Sequence, residues 1–369
     1  MDPSIRVRRL VFRLAGALSL VSASLVAGVL AAPADSGAQG PPPDLARCTE
    51  DLLPGNPMAV QEAAECLRKL GPAAAPAIPK LIPLLGESQR MFWDGLAPDG
   101  RMTGGSTSPR DGAVAVLRAI GDAAVLPMVE ALTKDRDPRV REGVALAMSA
   151  MPDPRFVAPL VRALGDGAVV PGSSPSGQAR VCDQVAKTLV GLSAPATADA
   201  LLAAASQAAS PQRERAAAVL VARGDVHVLP LLDQWRQSPV GSVRAEGVRL
   251  LGQTNAPLVV DALIDALGDA DATVKLAAVD ALGRRDYGGA PGTSPPDERR
   301  ALAALQSIEA RARADYQRRS ALDAATKESM TLAERAFDAQ RAIQERRARR
   351  DPSSAVERRE REATIRAPL

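Results

Sequence analysis

At 369 residues the chain is longer than most single compact cores, so several domains or one repeat array is expected. Aromatic residues make up 2% of it while alanine contributes 71 residues, a composition suited to thin packed layers. The single histidine, His227, excludes any site that needs two His ligands, and the net charge is only +3.

Arg6, Arg8, Arg9 and Arg13 precede an uncharged stretch from Leu14 to Ala32, and Ala32-Pro33-Ala34 offers the small residues that a signal peptidase inspects. Residues 1–34 therefore read as a secretory signal peptide or, alternatively, as an N-terminal membrane anchor, followed by a linker at 35–43. Either reading puts the remainder outside the cytoplasm. It is expected to be periplasmic or secreted, or held at the inner membrane by the anchor. The leader carries a net charge of +3 and residues 297–369 carry +4, which leaves −4 for residues 35–296. That balance opposes a nucleic-acid-binding face. In an oxidising compartment Cys48 and Cys66 are a disulfide candidate; the alternative is that they, like Cys182, are small buried apolar residues. Arg outnumbers Lys 40 to 6, a bias typical of GC-rich bacterial genomes.

The central region is periodic. Val181, Gln212, Val243 and Val274 are spaced by 31 residues, as are Leu189, Leu220, Leu251 and Leu282. Val274, Ala278 and Leu282 follow helical spacing, and small residues occupy the middle of each first helix (Val185-Ala186, Ala216-Ala217, Gly247-Val248, Ala278-Val279). Each unit thus holds two helices of about 12 residues. Seven pairs are expected at 57–86, 109–135, 137–166, 178–207, 210–237, 239–269 and 271–312, with a half-unit at 44–53 capping the start. Asp122, Asp153 and Asp225 stand where helix N-caps are wanted, and Gly71 and Gly121 where C-caps are wanted. One pair cannot bury its apolar stripe alone, so stacking is required, and the fold class is an all-α solenoid, a superhelix of about seven antiparallel helix pairs over 44–312.

Asp137-Pro138-Arg139-Val140-Arg141, Ser242-Val243-Arg244 and Asp271-Ala272-Thr273-Val274-Lys275 each open a first helix. With Ala278–Gly283 and Ala63–Leu67 they resemble HEAT repeats, specifically the short kind also found in phycobilisome lyases. The resemblance implies that the Asp and the basic residue form a stacked polar ladder, so Arg141, Arg244 and Lys275 are expected to be structural. It also implies an enzymatic branch that holds di-iron through His-Glu pairs, which one histidine cannot supply, and a glycosylase branch that wants a basic cleft.

Three segments interrupt the period: 87–108 with Met91-Phe92-Trp93, 166–177 with Pro171-Gly172-Ser173, and 285–296 with Tyr287-Gly288-Gly289. The first two occupy equivalent joins and should project from the same edge. No strand is read anywhere. Leu302, Leu305, Ile308, Ala312 and Tyr316 form a stripe that can finish the last pair, and 313–350 follows as a charged helical extension, with 351–369 a disordered tail. Within that extension Arg346, Arg347, Arg349 and Arg350 form a basic cluster, solvated or turned to an anionic partner.

No Gly-rich nucleotide loop and no CxxC occurs, and His227 reads as a partly buried structural residue. Scarcity singles out three aromatics. Phe92-Trp93 either anchors a partner or folds back over the N-terminal helices, and Trp235 either fills a gap or meets a ligand beside Asp233 and Arg236. The expected function is a non-catalytic, exported protein-binding scaffold that uses the concave face, the loops and the tail. Its candidate binding residues are Phe92, Trp93, Asp233, Trp235 and Arg236. The alternative is an enzyme or enzyme subunit, lyase-like, with a site on that face. No catalytic residue, metal or cofactor is assigned. A protein partner is expected and no nucleic acid. Membrane contact is limited to an uncleaved leader or weak contact through the basic cluster.

Overall fold

In the computed structural model, residues 44–52, 57–96, 102–172, 179–207, 210–254, 259–289, 294–318 and 324–350 are described. The leader, the linker, the tail from 351 and parts of the three interruptions lie outside them. The described residues belong to one compact unit.

A short helix α1 (Leu45–Glu50) leads into a series of helix pairs, the last of which runs six residues past the expected bound at 312. They are α2 (Pro57–Leu70) with α3 (Ile78–Leu84), α4 (Pro109–Ile120) with α5 (Asp122–Lys134), and α6 (Pro138–Ser149) with α7 (Val157–Ala163). Then come α8 (Val181–Gly191) with α9 (Ala196–Ala205), α10 (Pro211–Ala222) with α11 (Leu229–Arg236), α12 (Gly241–Leu251) with α13 (Val259–Ala266), and α14 (Ala272–Arg284) with α15 (Pro296–Arg318). A last helix, α16, spans Ala324–Arg350. First helices stack on first helices (α2 on α4, α6 on α8, α12 on α14) and second on second (α3 on α5, α7 on α9), which is an all-α solenoid. The second helices of the first, third and fifth pairs are entered through 3-10 turns at Gly71–Ala77, Pro154–Phe156 and Val226–Val228.

The small residues are where stacking is tightest. Ala113, Ala216, Ala217 and Ala278 are fully buried. A methyl added at Gly247 would lie 3.0 Å from Trp235 Cβ, and one added at Gly143 would run into the Leu85 carbonyl. Such a layer is held by many short dispersion contacts at native density. Asp153 and Asp225 cap their turns by accepting from the N–H groups of Arg155 and His227. Asp122 does not: Gly121, at φ +74°, takes the cap position, and the Asp122 carboxylate instead pairs with Arg155 of the next unit. Only a residue tolerant of positive φ can make that turn, so glycine is required there.

Two interruptions contain extended backbone that the sequence reading missed. β1 (Met91–Leu96) and β2 (Met102–Thr107) form an antiparallel hairpin in the first. Val169 and Arg180 form an isolated antiparallel bridge in the second. In each, two segments pair along their facing backbone groups, and the hairpin is tied to the helical layer where Thr107 Oγ1 donates to Gln61 Oε1 of α2 at 3.2 Å.

The C-terminal extension differs more. Helix α16 packs on α14 much as α14 packs on α12, and so takes the seat of an eighth first helix. It buries Leu332, Ala333, Ala336, Ala339, Gln340 and Ile343. A methyl on Gly283 would lie 2.7 Å from Ala339 Cβ, so α14 and α16 touch nearly backbone to backbone. The expected stripe is also shifted, because α15 buries Ala301, Leu305, Ile308 and Ala312 while Tyr316 stays 41% exposed. Part of the basic cluster is turned inward. Glu298 is fully buried and receives Arg350 at 2.6 Å, with Arg347 4.0 Å away and Ser294 Oγ donating at 2.9 Å. Arg346 donates to the Gly283 carbonyl. A buried carboxylate needs partners of this kind to offset its lost hydration. Arg346 and Arg350 thus clamp the helix, while Arg347 and Arg349 remain exposed.

Gly143→Ala should cost about 1–3 kcal/mol, because a rigid backbone carbonyl faces the added methyl. Calorimetric Tm values for this variant and for an exposed-site control, Ala123→Ser, check this.

Candidate functional site

Arginine side chains record the repeat in hydrogen bonds. Arg223 Nη1 donates to the Leu192 carbonyl at 2.8 Å and Arg285 Nη1 to that of Thr254 at 2.7 Å, each 31 residues back. Both satisfy carbonyls left open at the end of a helix. Arg141 grips Asp166 through Nε (2.7 Å) and Nη2 (3.3 Å), and Arg244 grips Asp269 through the same atoms (both 2.8 Å). The Nη1 of each donates to the two carbonyls of the turn before its own helix. The resemblance implied a ladder of arginine and aspartate, but the acids that close these forks are Asp166 and Asp269 at the end of the same unit, while Asp137 and Asp271 of the motif cap their own helices; the planar fork suits Arg to the task. The Arg244 guanidinium holds Asp269 below the usual carboxylate range. Burial pushes Asp166 up, but its bonds from Arg141 and Ala168 outweigh that, and it too lies low.

The expected site residues do not converge. Phe92 and Trp93 lie on β1, opposite Ser106 and Gly105, at the join between the first and second pairs. The other three lie on α11 in the fifth pair. Asp233 and Arg236 bond each other at 2.7 Å, and Gln237 donates to the same carboxylate. Trp235 is only 4% exposed, so it is a core residue and not a surface anchor. The Arg213 guanidinium lies over its ring, 4.3 Å from the centroid. His227 is a further correction: its side chain is 80% exposed, held by Asp225 at 2.9 Å, because it sits on the outer turn of the 3-10 entry. Cys48 and Cys66 are joined as a disulfide between α1 and α2, and Cys182 is a buried free thiol.

Two adjoining clefts on the second-helix side offer more room. One, of about 600 Å³, is lined by Pro76, Pro79, Ile82 and Pro83 of the first pair, and by Pro127 and Glu130 of α5. The other, of about 660 Å³, lies between the second and third pairs beside Leu132, Arg141, Arg162 and Asp166. Lys134 and Asp135 border both, so one groove crosses α3, α5 and α7. The sequence reading passed over it because prolines in a helical stripe look like punctuation. A third cleft, of about 480 Å³, lies between α15 and α16 beside Tyr316, Met330 and Phe337. Among the described residues no group of His, Cys, Asp and Glu is arranged to hold a metal ion, and no helix is long and apolar enough to cross a membrane.

The family model for HEAT repeats matches residues 102–170 and 228–326. Over those residues the repeats are HEAT repeats. No curated protein matches the chain. Three solved structures align with it over most of both chains. The complex of CpcE and CpcF of phycocyanin lyase from Nostoc sp. is 19% identical, with 83% of this chain and 98% of that one covered, at a TM-score of 0.23. Human deoxyhypusine hydroxylase is 19% identical, with 80% and 96% covered, at 0.26. A designed armadillo repeat protein in complex with a (KR)4 peptide is 14% identical, with 80% and 99% covered, at 0.30.

Asp269→Asn should cost about 2 kcal/mol at neutral pH, the worth of a charge-assisted fork. Because the native pKa of Asp269 is depressed, its contribution is present above pH about 4 and is lost as pH falls through the native value. Tm measured from pH 7 to pH 2.5 should therefore fall less steeply in the variant on the acid side.

Proposed function

We propose that this HEAT-repeat chain is an exported, non-catalytic scaffold that holds a protein partner in the groove across α3, α5 and α7. The observation that carries this is the groove's continuity over three successive second helices, with prolyl and isoleucyl walls at one end and Lys134 and Arg162 at the other. Stacked repeats present extended surfaces of this kind, and a polypeptide long enough to span three of them can meet each in turn. An apolar segment of that polypeptide suits the Pro79–Ile82 end. The hairpin carrying Phe92 and Trp93 joins the same two pairs that form that end. Export is supported by the leader pattern and by the Cys48–Cys66 disulfide, since disulfides persist in oxidising compartments and are rare in the cytosol.

A photo-cross-linking amino acid at Pro79 should capture one defined polypeptide in the native host. The same group at Arg118, exposed on α4, should capture none. Equal capture at both positions, or none at Pro79, would sink the groove. The exported chain should begin at Asp35 by N-terminal mass spectrometry; an intact Met1 would make the leader an anchor.

A further inference from the structure

Four arginines stand at the same place in the first helices of their units: Arg110 and Arg141 are one period apart, as are Arg213 and Arg244. Three of them have a carboxylate. Arg141 and Arg244 take Asp166 and Asp269, each 25 residues further on. Arg110 takes Glu142 at 2.7 Å, 32 residues further on. The corresponding positions for Arg213 hold Ser238 and Ala245.

Ser238 is the true equivalent of the two aspartates. Asp166 accepts from the N–H of Ala168 and Asp269 from that of Asp271, two residues on in each case. Ser238 Oγ accepts from the N–H of Val240 at 3.2 Å in the same way. The hydroxyl keeps the turn and leaves out the carboxylate. Arg213 is only 9% exposed, and its Nε and Nη2 are buried without a hydrogen-bond partner. Its remaining support is the face of Trp235. A buried guanidinium with two idle donors is a costly arrangement for an isolated chain. In the sister units the carboxylate that fills this place is itself partly exposed, the side chains of Asp166 and Asp269 at 22% and 16%.

We infer that Arg213 is a carboxylate-binding site: an aspartate or glutamate side chain of a partner polypeptide enters at Ser238 and takes the forked position that Asp166 and Asp269 hold in the neighbouring units. This rests on the reading that the partner is a polypeptide, but the site lies in the fifth pair, away from the groove of the first three. The ladder argues for a carboxylate rather than a phosphate, since both sister forks are closed by one.

The chain has two tryptophans, so Trp93→Phe leaves Trp235 as the sole reporter. Titration of that full-length variant with acetyl-Ala-Glu-Ala-amide should change Trp235 fluorescence saturably, and acetyl-Ala-Gln-Ala-amide should not. Ser238→Asp, which supplies the carboxylate from within, should raise Tm and weaken the glutamyl peptide at least tenfold. Equal responses to the two peptides, or a Tm lowered by Ser238→Asp, would overturn the assignment, as would tighter binding of inorganic phosphate. The cross-linking result at Pro79 is independent, so the groove and this site can fail separately.

Discussion

The close contact between first helices, made through alanine and glycine, is the constraint on which the rest of this molecule depends. With methyl groups at the interface, each layer offers little apolar area, so no unit is stable alone. Stability has to come from repetition and from polar groups that fix the register between layers. Arginine supplies that register. A planar fork can hold a carboxylate and still reach two carbonyls, and Arg141 and Arg244 do both at once. Lysine has no such geometry, which gives a structural reason for part of the bias of 40 arginines to 6 lysines.

Polar chemistry is therefore mostly committed to architecture. Asp122 joins Arg155, Arg215 caps the Leu164 carbonyl, and Glu298 is enclosed by the arginines of α16. Free functional chemistry shows best where the pattern lapses. Ser238 stands where an aspartate is due, and the prolines of the first pair stand where an ordinary helix would carry alanine or leucine.

Much of the fold was legible because a 31-residue step leaves a long record. The helix pairs, the cap aspartates Asp153 and Asp225 and the structural role of Arg141 and Arg244 all follow from it. What escaped shares one cause, since each feature depends on contacts the period does not encode. The hairpin at 91–107 is a single local pairing. Helix α16 docks through Ala333, Ala336 and Ala339, and alanines in a charged helix read as propensity, not as an interface. Trp235 is large where its neighbours carry methyls, and its burial follows from the small residue, Gly247, that faces it. His227 failed the other way, because its 3-10 turn points outward a position that an α-helix would half bury.

Helix α16 and the disulfide occupy opposite ends of the array. A stack of repeats with open ends loses its outermost unit first, as a zipper does. Here the first helices are stapled covalently, and the last pair is overlaid by a helix locked to a buried acid. Fraying from either terminus is suppressed, so the weakest link moves inward, toward the fifth pair with its arginine left without a carboxylate.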